Sequence, residues 1–345
     1  YLLFGAVSRR HCAPWVHRLV DEATVELFTA FRFARSLESL SRLTGIRRDK
    51  VKKLLYGDTA KWRLRWSISF HKIGLKVIGV FTEKVPAEPP PFVLKIFPLE
   101  GLSKLYLVVG LASNNFLEGF LNTLKPLYVV KGLEFSFWVP DKLLVKAGYG
   151  FKPQDYPGIM DLMELPEEEP FLRVPDKVDW AILTHKMNSP FKRFKTAYED
   201  ARKEDPSLKP ISPQALTLHI QRHILPLWTG NYGYPYFPDP ERPIEVFYLE
   251  GWRSHVASRL AARIPGTHFV IIDNNRAIIV GQYTGPRKAA LLATIGGVKA
   301  SVPLSELVCP PGKEETYMWR FWRFASNKKY VLPSEKPTRI EDTII

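Results

Sequence analysis

His219 and His223 stand four residues apart in ISPQALTLHIQRHILPLW (Ile211–Trp228), a stretch with helical spacing. On a helix that interval puts both imidazoles on one face, an arrangement able to chelate Zn2+. A third ligand would have to come from His255, His268 or a distant acid, and no Glu follows His219 as in a metalloprotease. Contact with phosphate, or plain surface placement, is the expected use of these histidines, with no metal and no cofactor. Other chemistry is thinner. The glycines of TIGGVK and GQYTGP lack the order of a phosphate-binding loop or a dinucleotide fingerprint. Glu167–Glu169 reads as a solvated charge run, and no Ser–His or Cys–His arrangement follows from spacing. The expectation is a protein that is not an enzyme.

Basic residues make the more definite pattern. LESLSRLTGIRRDKVKKLL (Leu37–Leu55) has the spacing of a helix-turn-helix. Leu40, Val51 and Leu54 fall where the two helices face each other, Ser41 where they cross, and Gly45 where the turn demands φ > 0. Arg47, Arg48, Asp49, Lys50, Lys52 and Lys53 are left as a solvent-facing row of the kind that enters a major groove. The alternation in WRLRWSISF sets Trp62, Leu64, Trp66, Ile68 and Phe70 on one face and Arg63 and Arg65 on the other, as in a wing that touches nucleic acid.

The net charge is +14, and between Phe31 and Lys72 there are twelve Lys and Arg against three acids. Most of the imbalance thus sits on the reading head, as phosphate neutralisation requires. Cys12 and Cys309 are too isolated for a disulfide framework or a cysteine zinc site. The longest apolar run, Leu105–Leu121, is broken by Ser113, Asn114, Asn115 and Glu118, so no membrane span is expected. YLLFGAVSRRHC lacks the order of a signal peptide, although the first residue is not Met and residues before it would lie outside this numbering. A cytoplasmic location is the expectation.

These residues need elements to hold them, and the chain reads as two similar halves. In the first, Asp21–Arg35 is helical, the helix-turn-helix and wing follow, and Leu75–Phe81 is a strand. A Pro-rich break comes next, then a strand over Leu105–Leu111, a helix over Asn114–Leu124 capped by Asn114, and a strand over Tyr128–Val139. Gln154–Pro170 holds six acids and no Lys or Arg, and reads as a linker or strap, or as an acidic segment lying on the basic face. The second half has helices over Val178–Met187, Phe194–Lys203 and Ile211–Trp228. On the third, Ala215, Leu218, the stem of Arg222 and Leu225 are expected to face inward, leaving Gln214, Thr217, His219, Gln221 and His223 toward DNA. GNYGYPYFPDPERP is the second wing. A βαββαβ run then covers Glu245–Gly251, Ser254–Ile264, a Thr267–Tyr283 hairpin turning at Asn274-Asn275 with φ > 0, Arg287–Thr294 and Val298–Val308. YMWRFWRFASNKKY interleaves rings and cations; burial against the second sheet with the arginines at the rim is expected, and Thr338–Ile345 reads as a loose tail.

The fold class is therefore α+β: two winged helix-turn-helix domains, each followed by a ferredoxin-like antiparallel module. The expected boundaries are 1–66, 67–147, 148–175 for the linker, 176–243, 244–312 and 313–345. With Ile73-Gly74-Leu75 leading from the wing into the first sheet, this plan resembles the Lrp/AsnC family of prokaryotic transcription regulators, best over Leu37–Phe81 and more weakly over Val178–Val308. The resemblance implies a regulator that reads double-stranded DNA with Arg47, Arg48, Lys50, Lys52 and Lys53. It also implies a small-molecule effector at the sheet modules, and either a homodimer or pairing of the two modules within one chain. Two alternatives share the features: a sirohaem-decarboxylase-like tetrapyrrole enzyme with His255 or His268 near the ligand, and a non-specific nucleic-acid scaffold.

Overall fold

The structure, a computed structural model, describes residues 20–57, 62–239, 241–326, 329–331 and 336–340. Cys12, the residues around it and 341–345 of the expected tail lie outside the described residues.

Asp21 accepts a hydrogen bond from the Thr24 amide and starts α1 (Glu22–Phe31). Ser36 and Ser39 form a reciprocal capping box that starts α2 (Leu37–Thr44). Gly45 ends α2 at φ 68°, a left-handed turn that glycine takes without strain. Nearby, the Ser41 hydroxyl donates to the Ile46 carbonyl at 2.6 Å. Then α3 (Arg48–Tyr56) packs Val51 and Leu55 against Leu40, Phe28 and Phe31. The expected inward residue Leu54 is instead 41% exposed. The side of α3 that packs on Leu40, Phe28 and Phe31 is centred on Val51 and Leu55, four apart, and Leu54 falls one step round the helix.

The wing reading is corrected by the pairing of β1 (Trp62–Ile68). Its partner is β7 (Trp228–Pro235) in the second half, with Trp62 opposite Pro235 and Arg65 opposite Tyr232. The two expected wings are thus the two strands of one antiparallel ladder joining the halves.

The first sheet contains β2 (Lys76–Thr82), β3 (Val93–Leu99), β4 (Leu105–Ala112) and β5 (Tyr128–Gly132), in the order β3-β4-β2-β5. The Pro-rich stretch forms no helix, and the strand β3 after it was not read from the sequence. Among the described residues, α4 (Leu117–Leu124) is the helix that covers the outer face, through Phe120 and Leu124 on Ile78, Val80 and Val108. It starts at Phe116 with no side-chain cap, not at Asn114. The expected strand Tyr128–Val139 is divided at Leu133. After β5, the chain crosses to the other sheet as β6 (Glu134–Phe137) and pairs with a strand there.

In the second half, α5 (Lys177–Met187), α6 (Phe194–Glu204) and α7 (Pro213–Leu218) precede β7, with a π turn over His219–Ile224 continuing α7. The second sheet follows: β8 (Ile244–Glu250), β9 (Thr267–Ile272), β10 (Arg276–Gly281) and β11 (Glu306–Cys309), ordered β11-β8-β10-β9-β6. Its outer face carries α8 (Ser254–Ala261) and α9 (Gly285–Gly297) over Leu249, Val270, Ile272 and Ile279. The last strand is shorter than the expected Val298–Val308. The β9–β10 hairpin forms where expected, but Asn274 and Asn275 are absent from the residues with positive φ, so the turn closes without left-handed residues.

The inner faces of the two sheets pack on each other in one core that includes Val77, Phe81, Val109, Tyr248, Ile271 and Ile278. A Cβ on Gly79 would stand 2.3 Å from Ile278 Cδ1, so the sheets approach closely there and a larger residue would require the Ile278 side chain to shift. The C-terminal segment completes the first sheet, not the second: β12 (Glu315–Met318) lies beside β3 and β15 (Thr338–Ile340) beside β12, with a small β13 (Ala325–Ser326) and β14 (Lys329–Tyr330) pair between them. Trp319 donates to the Val93 carbonyl at 2.6 Å and Phe321 stacks on Trp180 of α5 at 4.7 Å. Thr338–Ile340 is accordingly strand rather than tail. The acidic strap pairs Glu169 with Lys72 at 3.6 Å and Glu168 with Lys76, which directs these two acids to the first sheet.

Candidate nucleic-acid interface

On α3 Val51 and Leu55 are spent on the helix pair, and Arg47, Arg48, Asp49, Lys50, Lys52 and Lys53 are all exposed, with Leu54 beside them. Asp49 lies in the first turn, where an acid favours the positive end of the helix dipole, and Lys53 in the last, where a cation does. Arg48 pairs with Glu38 at 3.1 Å across the two helices, but both side chains are more than half exposed. Such a pair is weakly held and leaves Arg48 free to exchange partners. The Glu38 carboxyl is held below its ordinary range first by its own backbone amide, then by the Ser36 hydroxyl and by Arg48.

Arg48 also borders a groove of about 340 Å3 between the two heads. Arg35, Lys186, Lys192 and Arg193 line it with Glu38 as the one acid, together with Phe191 and Phe194. Lys186 is buried and donates to the Lys192 carbonyl at 2.7 Å and to that of Pro190. Desolvation, helped by Lys192, pulls its pKa down to about 8. Lys192 reaches Asp200 at 3.2 Å. The cationic surface of α3 therefore continues across the groove to the start of α6. Sequence reasoning missed this extension, because Arg35, Lys192 and Arg193 belong to segments far apart in the chain that the β1–β7 ladder and the Phe31–Phe191 contact bring together.

The remaining expected contacts do not lie together. Arg63 is 9% exposed, with its guanidinium 4.5 Å over the Tyr236 ring. Arg65 is half-buried, 5.9 Å over Tyr234, and donates to the Leu64 carbonyl at 3.0 Å. Once β1 pairs with β7, the arginine face of the strand meets the tyrosines of the second half instead of solvent. Gln214, Thr217 and Gln221 are exposed, though the Thr217 hydroxyl donates to the Pro213 carbonyl of its own helix at 2.9 Å.

His219 and His223 turn inward, contrary to the expected face. The stripe toward the core is Leu216, Ile220, Ile224 and Leu227, while Leu218 is 45% exposed and Arg222 exposed. This phase is set within α7, where Leu216 is buried and Leu218 exposed, and the π turn His219–Ile224 carries it on. His219 Nδ1 then lies 2.7 Å and His223 Nδ1 3.2 Å from the same Asp179 oxygen, Oδ1, and the two nitrogens are 3.2 Å apart. Asp179 is fixed by the capping box at the start of α5: its amide donates to Asp176 Oδ1 at 2.9 Å, and the Asp176 amide donates back to Asp179 Oδ2 at 3.2 Å. Arg173 also reaches Asp179 Oδ2, at 3.1 Å. The Asp-x-x-Asp spacing was visible in the sequence, but nothing local linked it to histidines forty residues on.

His255 and His268, the candidates for a tetrapyrrole ligand, are both buried in the second sheet module. His255 Nε2 lies 3.3 Å from the Met163 carbonyl, and His268 stacks on Tyr234 at 4.7 Å. Desolvation, with Lys95 and Arg63 adding to it, holds His268 at about 3, so its ring is neutral. Neither lines the apolar cavity of about 160 Å3 between the sheets, whose walls include Trp66, Phe135, Phe137, Phe269 and Trp319. Among the described residues, no helix is long and apolar enough to cross a membrane.

No family model matches the chain, and no curated protein matches it. Among solved structures, one titled as a crystal structure study of an anthrone oxidase-like protein aligns over 72% of this chain and 95% of that one, at 10% identity and a TM-score of 0.27. A likeness that slight carries no argument about fold or activity.

Proposed function

We propose that this chain is a cytoplasmic double-stranded DNA-binding regulator of Lrp/AsnC-like plan, which reads the major groove with α3. One observation carries the reading: Arg48, Asp49, Lys50, Lys52 and Lys53 are exposed on a short helix, with Arg47 at its N-cap, while Val51 and Leu55 lock its inner side to Leu40 behind a left-handed Gly45 turn. The adjoining groove supplies further cations for backbone phosphates, at positions that fix orientation without reading sequence. The tandem architecture belongs to the same proposal. Each half runs three helices, a strand, then a sheet, and the orders β5-β2-β4-β3 and β11-β8-β10-β9 match strand for strand. Packing of the two inner faces supports a dimer-like arrangement within one polypeptide, and a small apolar effector would enter the cavity between the sheets.

The test is binding of the full chain to random and genomic duplexes, followed by anisotropy over a salt series. Affinity is expected to fall steeply with salt, with a slope near −0.9 for each phosphate neutralised. The Arg47→Ala/Arg48→Ala pair should lose about 10- to 100-fold on a selected duplex if either arginine reads a guanine. Duplex binding that is sequence-selective yet unchanged by that pair would remove α3 as the reading helix. Equal or tighter binding to single strands would favour the scaffold reading.

A further inference from the structure

The second head holds a cluster that the DNA reading does not use. Asp176, Asp179, His219 and His223 each offer one ligand atom, and the four atoms lie within 4.8 Å of one another. We propose that these residues bind one divalent d-block ion of the Zn2+ type, which clamps the π turn after α7 to the start of α5.

The geometry is that of a coordination face. Asp179 Oδ1 and the two Nδ1 atoms form a triangle with edges of 2.7, 3.2 and 3.2 Å. A point about 2.0 Å from all three corners, the ordinary Zn–N and Zn–O distance, exists about 1 Å off their plane. Asp176 Oδ2, 3.6 Å from His219 Nδ1, is available as the fourth corner. Hydrogen bonding alone serves the same atoms poorly. If both Nδ1 atoms carry protons, two donors crowd one oxygen and face each other at 3.2 Å; if one does not, its lone pair competes with the carboxylate for the same proton. A cation at the centre satisfies all of them at once, with both rings neutral.

The surroundings fit an ion as well. Asp179 is 1% exposed, and Arg173 together with the Asp176 amide occupies its Oδ2, which leaves Oδ1 directed at the histidines. Such outer partners orient a ligating carboxylate in metal sites generally. His219 and His223 are 17% and 23% exposed and Asp176 46%, so the site is shallow enough for an ion to reach it. Two imidazoles and two carboxylates favour zinc and its neighbours over calcium or magnesium, which prefer all-oxygen shells. The π turn acquires a reason on this reading, since it swings both rings toward α5.

The experiment uses the full chain, stripped with chelator and titrated with Zn2+ by calorimetry, then with Co2+ for its visible spectrum. The expected results are one Zn2+ per chain, intense tetrahedral Co2+ bands displaced by Zn2+, and a rise in Tm on loading. His219→Ala/His223→Ala should weaken Zn2+ binding by more than about 100-fold, and Arg173→Ala by about 10-fold through its hold on Asp179. Failure of the wild-type chain to take up a stoichiometric ion, or unchanged uptake by the double variant, overturns the proposal. If that variant does not fold, the wild-type stoichiometry and Co2+ spectrum decide alone, a weak octahedral spectrum counting against it. The outcome is independent of DNA binding, which neither histidine supports.

Discussion

The two three-helix heads differ most in how much of each is covered. In the first, the opening helix α1 buries Val25, Leu27, Phe28 and Phe31 along one side and leaves the other to solvent. In the second, α5 buries residues on every side, including Asp179, Trp180, Ala181, Ile182, Leu183, Thr184 and Lys186. The cause is the C-terminal segment, which lays Phe321 and Trp322 over α5, with Trp322 donating to Asp205 at 3.0 Å. Similar local plans thus reach opposite ends. One opening helix is left half in solvent, and the other is built into the core, with Asp179, Thr184 and Lys186 hydrogen-bonded to internal partners. Surface charge on a helix-turn-helix is informative only where nothing later in the chain returns to cover it.

Three experiments press on that contrast. The largest effect belongs to Trp180→Ala, which removes a fully buried ring from the second head and should cost about 3–5 kcal/mol of global stability in urea unfolding. If the loss is below about 1 kcal/mol, the second head is not built into the core. Intermediate is the pH response of the joint between the halves, where His268 stacks against Tyr234 of β7. Its folded pKa of about 3 lies below the unfolded value, so the unfolded state binds a proton the folded state refuses. Stability from this group is therefore intact above about pH 6.5 and declines by about 1.4 kcal/mol per unit as pH falls toward 3. His268→Phe should flatten that slope relative to the wild type between pH 6.5 and 4.5; an unaltered slope would mean the histidine is solvated. The smallest is Gly45→Ala. No atom lies within 4 Å of the added Cβ, so only the left-handed backbone resists, at about 1 kcal/mol, and hydrogen exchange should show the loosening confined to α2 and α3.

What the sequence disclosed, and what it hid, follows the range of the interactions. Gly45, the α3 charges and the β8-to-β11 run are written in neighbouring residues, so they were legible. The pairings β1–β7, β6–β9 and β12–β3 join residues more than a hundred positions apart and leave no local trace. Alternation in β1 revealed two faces but not which one met water, and so Arg63 and Arg65 were assigned to DNA when tyrosines lay opposite. The inward turn of His219 and His223 was hidden for a related reason: which side of α7 and the π turn faces inward is set by α5, some forty residues upstream. The cluster with Asp176 and Asp179 could not be assembled without knowing that α5 and α7 touch.

The strand β12, which covers β3 in the first sheet, also sets the order of events at the ribosome. Leu99 ends β3, and the chain must grow by roughly 200 residues before Glu315 emerges, on the order of ten to forty seconds at ordinary elongation rates. Through that interval β3 offers an unpaired edge to any neighbouring nascent chain. A truncation before Glu315 makes the interval permanent, and its expected fate is association rather than a smaller folded protein.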